Sequence, residues 1–176
     1  MDLSFGVSYY PELVNPTEWS RDLKSMRKTG LSVIRMLDFA WTAIEPREGC
    51  FEFDWLDRFL GLAGENAISV ILCTPTATAP AWLERQYPEV MAMKPDGDRH
   101  LWGTRRKVCT NSRVYRHYSE ALAARLGERY GNHPQVIGWQ VDNELIGPEG
   151  VLPECHCPEC VFLFRQWVKK RHAPIE

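Results

Sequence analysis

This sequence has no long apolar run, no surplus of positive charge and no glycine-rich phosphate loop. Each lack closes a class of function. No stretch approaches the roughly 20 consecutive apolar residues that a membrane helix needs, so no membrane partner is expected. Lysine and arginine number 21 against 23 aspartates and glutamates, for a formal net charge of -2. Such a balance offers no basic surface for phosphates, so nucleic acid is not an expected partner either. The start, Met1 to Gly6, has no positive segment followed by an apolar one. A secretory signal is therefore not expected, and the cytoplasm is the expected location. No Gly-x-Gly-x-x-Gly follows the first apolar segment, so nucleotide binding lacks its fingerprint. Internal repeats, low-complexity tracts and domain linkers are also missing.

What is present is a chain of 176 residues, 44% of them hydrophobic, enough for one core. Strand-like runs at Leu3–Tyr10, Leu31–Leu37, Ile68–Cys73 and Val136–Val141 alternate with helical stretches. The helices are expected from Asn15–Thr17 to Gly30, Asp54 to about Asn66, Ser112 to Tyr130 and about Cys160 to His172, with a short one near Ala79–Leu83. Strands alternating with helices are the signature of parallel βαβ units. The segments after the strands are long and aromatic, whereas those before them are short. This asymmetry fits a (β/α) barrel, in which chemistry gathers at the carboxyl ends of the strands. A whole barrel takes about 250 residues, and four units would leave an open apolar edge, a liability for a free-standing protein. The sequence thus reads as part of a longer chain, or else as a half that pairs with itself or another subunit. The first is the expectation.

The stretch Val136-Ile-Gly-Trp-Gln-Val-Asp-Asn-Glu144 is apolar until its polar residues arrive together at the end. That pattern suits a buried strand delivering a carboxylate to the rim. Glu144 suits a general acid/base, because a carboxyl in a partly dry cleft can hold a proton at working pH. Asn143 could hold a sugar hydroxyl; a plain solvated loop start is the competing reading. Arg35 sits inside an apolar strand and must find a carboxylate or polar ligand, as a salt bridge or as a fork that orients a substrate. Asp38 and Glu45 lie on the same rim loop and are both expected as salt-bridge partners. Trp41, Trp82 and Trp139 could stack on sugar rings, with core packing the commoner fate of each.

Cys155-His-Cys-Pro-Glu-Cys160 puts three thiols in six residues, one short of a tetrahedral set. Cys109, in the polar loop before the third main helix, is the expected fourth ligand. Four sulfur ligands leave no position for water, so the ion would be a structural zinc. A disulfide or free thiols are the alternatives. His156 is expected to be a bystander, and Cys50 and Cys73 to be isolated buried residues.

These residues carry a resemblance. The segments Phe5-Gly-Val-Ser-Tyr-Tyr-Pro-Glu12, Val33-Ile-Arg-Met36, Phe39-Ala-Trp41 with Glu45-Pro46, and Trp55-Leu-Asp57 resemble glycoside hydrolase family 42. So do Thr74-Pro-Thr-Ala77, Pro80-Ala-Trp-Leu83, Gly138 to Glu144, the cysteine cluster and Phe164-Arg-Gln-Trp167. The resemblance implies a (β/α)8 TIM barrel of the clan A type, of which this chain supplies about the first four βα units. Residues 1–176 would be the N-terminal half of the catalytic domain, with a Cys-rich zinc loop at about 150–162. It implies a retaining exo-β-galactosidase acting on terminal β-D-galactosyl residues, with Glu144 as acid/base and with Arg35 and Asn143 contacting the galactose. Zinc would be held by Cys109, Cys155, Cys157 and Cys160, and the full-length enzyme could be a homotrimer. The nucleophile, a late-barrel glutamate, would lie outside this chain, so the segment alone is expected to be inactive. Leu13 stands where the family usually continues Gln-Trp, and Asp38 where Glu is commoner. Another clan A glycosidase, or a non-catalytic zinc-stabilised carbohydrate-binding half-barrel, is the alternative.

Overall fold

The computed structural model describes residues 3–101, 103, 105–144 and 154–172. Four strands, β1 (Gly6–Ser8), β2 (Val33–Met36), β3 (Ser69–Cys73) and β4 (Val136–Gln140), form one sheet in sequence order, every neighbouring pair parallel. Parallel neighbours require crossovers. These are supplied by α1 (Trp19–Lys28) and α3 (Asp54–Glu65) in the first two connections, and by α5 (Arg113–Tyr130) in the third. Short helices α2 (Trp41–Ile44) and α4 (Ala81–Gln86) sit in the loops after β2 and β3, and α6 (Pro158–Arg171) follows β4. The fold is a partial α/β barrel, as the alternation of elements implied.

Alternation along the strands assigns the two faces. Ile34, Met36, Val70 and Leu72 are buried with Leu23, Leu56, Phe59, Leu60, Leu122 and Leu126 of the covering helices. Gly6, Ser8, Val33, Arg35, Ile71 and Ile137 line an open cleft of about 470 Å³ on the other face. Gly6 has no alternative in this packing, because an added Cβ would stand 2.7 Å from the Val33 carbonyl oxygen. Ser112 caps α5, its hydroxyl accepting from the Tyr115 amide at 3.3 Å. Between β3 and β4 the register skips: Val70 pairs with Val136, but Ile71 pairs with Gly138, leaving Ile137 as an extra, bulged residue.

Two expectations about burial do not hold. β4 is half-buried, with Ile137, Trp139 and Val141 exposed, because it is an edge strand of this sheet among the described residues. Cys50 is exposed, lying in the turn that closes the Arg47–Cys50 bridge. No described helix is long and apolar enough to cross a membrane.

Candidate active site at the end of β4

Three strands converge on Arg35. From the middle of β2 its guanidinium donates through Nε and Nη2 to Ser8 Oγ of β1, at 3.2 and 3.0 Å. Nη1 donates to Asp38 Oδ1 at 2.5 Å, to Gln140 Oε1 of β4 at 2.9 Å and to Asn143 Oδ1 at 3.4 Å. Asp38 is fully buried, and a buried carboxylate needs such a partner. Leu37, at φ 81°, makes the left-handed step between Arg35 and Asp38 that lets their side chains meet. The salt-bridge reading of Arg35 therefore holds, with Asp38 as its buried partner, and the same guanidinium reaches side chains at the carboxyl end of β4.

Asn143 is buried; its side-chain oxygen also accepts from Gln140 Nε2 at 3.4 Å. Glu144 is exposed, and its Oε2 lies 2.9 Å from Arg105 Nη2. Arg105 in turn stands over the Phe39 ring, 5.9 Å from its centroid, on the loop after β2. The adjacent Arg106 turns the other way, with a side chain only 6% exposed; Nη1 donates to Asp142 Oδ2 at 2.7 Å and Nε to the Glu144 carbonyl at 2.8 Å. Sequence reasoning passed over both arginines, because the stretch from Pro88 to Thr110 has no periodicity. The signal was there: two consecutive arginines a few residues before Cys109 share that cysteine's position near the rim.

Glu45 corrects an expectation. Among the described residues its carboxylate has no ion-pair partner; Oε2 accepts from the Trp41 indole and Oε1 from the Gly49 amide, each at 2.9 Å. Two neutral donors within its own loop satisfy this buried group, and its carbonyl accepts from the Trp82 indole at 2.9 Å. Trp41 is thus core, and Trp82 packs edge-on against Tyr118. Trp139 pairs with Leu72, whose side chain is buried against the helices, so Trp139 faces away from the Arg35 network.

Near this network lies Glu12, whose buried Oε2 has no hydrogen-bond partner among the described residues. Burial, reinforced by the charge of Asp38, pushes its carboxyl up to about 7. Burial likewise pushes the Cys73 thiol, at the end of β3, up to about 12, again with Asp38 contributing.

A second cluster lies beyond Glu144. The sulfurs of Cys109, Cys155, Cys157 and Cys160 all fall within 4.8 Å of one another. Cys109 Sγ is 3.8 Å from Cys157 Sγ and 3.4 Å from Cys160 Sγ. Zinc–sulfur bonds of about 2.3 Å in a tetrahedron put sulfurs roughly 3.8 Å apart, so the donor set fits such an ion. Backbone amides of Met93 and Cys160 point at Cys155 and Cys157, and Asn111 Nδ2 at Cys160. Burial alone would raise the Cys157 thiol, but the Cys160 amide and the neighbouring thiols hold it below its ordinary value. His156 faces Glu154 instead, its Nε2 3.6 Å from the carboxylate. Part of the expected zinc loop, residues 150–153, lies outside the described residues.

The family model for beta-galactosidases of glycoside hydrolase family 42 matches residues 8–176. The chain belongs to this family. The beta-galactosidase Bga of Halorubrum lacusprofundi is 40% identical over 174 residues, 99% of this chain and 25% of its own length. The Thermus sp. beta-galactosidase BgaA is 42% identical over 171 residues, 97% of this chain and 26% of its own. Two solved beta-galactosidase structures superpose closely. The polyextremophilic beta-galactosidase of the Antarctic haloarchaeon H. lacusprofundi gives a TM-score of 0.90 at 41% identity, with 96% of this chain and 25% of that one covered. The beta-galactosidase of Rahnella sp. R3 gives 0.88 at 40%, with 96% and 24% covered. This family 42 chain thus spans about a quarter of the length of the relatives it matches.

Proposed function

We propose that these residues form the acid/base-bearing half of the catalytic barrel of a retaining exo-β-galactosidase, with residues 1–176 as its N-terminal part. The observation that carries this reading is the convergence at the end of β4: an exposed carboxylate, Glu144, beside a buried amide, Asn143, that shares Arg35 with the buried Asp38. Retaining hydrolysis needs two carboxyl groups about 5–5.5 Å apart. Glu144 is one; the nucleophile belongs to a part of the barrel that these residues do not contain. In the first step Glu144 protonates the departing glycosidic oxygen while the nucleophile takes the anomeric carbon. In the second it removes a proton from water, which releases the sugar with its configuration kept. As the acid, Glu144 carries the proton that the departing oxygen takes, while its other carboxyl oxygen can still accept from Arg105. Asn143 and Arg35 supply neutral and charged donors for ring hydroxyls, with Arg35 held in place by Ser8, Asp38 and Gln140.

The four thiols would hold a structural zinc, which would pin the segment after Glu144 to the loop before α5 and take no part in hydrolysis. Loss of the ion would loosen that loop.

The test is Glu144→Gln in the polypeptide that completes the barrel. Hydrolysis of lactose and alkyl galactosides, whose leaving groups need a proton, is expected to fall by roughly 10²–10⁴-fold. The first step on dinitrophenyl galactoside, which needs none, is expected to survive. Equal loss on both substrates would overturn the acid role.

A further inference from the structure

The end of β4 has an unusual backbone. Asp142 has φ 60° and Glu144 φ 20°, and Arg106, which meets them both, has φ 63°. Residues with side chains rarely adopt such angles unless their surroundings enforce them. The Arg106 guanidinium bridges the two residues of this turn. One of its nitrogens holds the Asp142 carboxylate at 2.7 Å and another holds the Glu144 carbonyl oxygen at 2.8 Å. Arg106 is anchored in turn by its own amide, which donates to the Ala77 carbonyl at 3.0 Å. Asp142 is fixed from its other sides: its amide donates to Thr74 Oγ1, and its Oδ1 accepts from the Asn143 amide, both at 2.7 Å. Chain running from the end of β3 is thereby tied to the one residue from which the proton is delivered.

We infer that Arg106, acting with Asp142, is a positioning residue that sets where the Glu144 carboxyl stands. This rests on Glu144 being the acid/base. Arg106 touches the backbone of Glu144 and not its carboxylate, which faces Arg105, so its effect on the reaction is indirect. The planar fork of an arginine can grip a side-chain carboxylate and a main-chain carbonyl at once, whereas the single ammonium of lysine cannot hold both in this geometry. An error of about 1 Å in a catalytic group costs on the order of 10²-fold in rate.

The experiment compares Arg106→Lys and Asp142→Asn with the parent, in the polypeptide that completes the barrel. The substrates are lactose and dinitrophenyl galactoside. Each variant is expected to lower kcat on lactose by about 10²-fold, with KM nearly unchanged, and to alter the first step on dinitrophenyl galactoside by no more than a few-fold. If Arg106→Lys fails to accumulate, Asp142→Asn carries the comparison. A parallel loss on both substrates marks a role in folding alone and overturns the inference, as does no loss on either. In a Glu144→Gln background, Arg106→Lys is expected to cost nothing further on lactose, because two changes to one unit do not add. An additive loss there overturns the inference. If Glu144→Gln itself loses both substrates equally, it is the acid/base reading that fails. If it is selective while the Arg106 and Asp142 variants are not, only the positioning role fails.

Discussion

Replacing Cys109 by serine would break the four-thiol cluster with the least disturbance to the fold. The two serial halves of the site are far apart in sequence: Cys109 precedes α5, and Cys155, Cys157 and Cys160 follow β4. A cross-link between Cys109 and Cys155 closes a loop of 46 residues. In the chain-entropy treatment of such closures this removes about 13 cal/mol/K from the unfolded ensemble, or roughly 4 kcal/mol at room temperature. A structural ion that bridges the same points should therefore raise the melting temperature on the order of 10 °C, if the surrounding unit melts like one of 150–250 residues. The assay is metal content by atomic emission together with thermal unfolding, with and without a chelator. The parent should carry about one zinc per chain and lose several degrees when stripped. Cys109→Ser should bind less, melt lower and respond little to the chelator. A parent that carries no stoichiometric metal, or that melts at the same temperature before and after chelation, would refute the reasoning.

Glu12 gives a prediction with a pH sign. Its folded carboxyl is raised from 4.5 to about 7 by burial and by Asp38. Between those values the native state keeps a proton that the unfolded state has released, so its contribution to stability is present below pH 4.5 and is lost as pH rises to about 7. Glu12→Gln should flatten that dependence and stabilise the protein at pH 8 by up to about 3 kcal/mol; equal slopes of melting temperature against pH in parent and variant would contradict it. Arg35→Met should destabilise by about 3–5 kcal/mol, because it leaves the fully buried Asp38 without its cation. The double variant Arg35→Met/Asp38→Leu should recover much of that loss in urea unfolding, and a double variant no more stable than the single would argue against the pairing.

The fold was readable because its signals are local. The apolar runs around Val33–Met36 and Ser69–Cys73, the periodicity of α1 and α3, and the Ser112 cap of α5 each announce themselves within a dozen residues. That Glu144 follows the end of β4 was readable for the same reason, since the change from apolar to polar residues falls just past that strand. Contacts made across loops were not. Glu45 finds its partners four residues away on either side, at Trp41 and Gly49, and nothing in its spacing distinguishes that from a salt bridge. Arg105 and Arg106 lie in an irregular stretch and reach 36 or more residues forward to their partners. The open edge followed from counting four strands, but the apolar run of β4 reads as buried because it gives no sign of which strand should cover it.

The single surplus residue at Ile137 decides which side chain looks at Arg35. Counted without it, β4 would slide by one step along β3, and Trp139 rather than Gln140 would come to rest beside Cys73. The guanidinium would then meet an indole in place of an amide oxygen, and Glu144 would reach the rim a residue's length, roughly 3.3 Å, out of phase. One irregular step in the ladder is what brings the ends of β2 and β4 into the same chemistry.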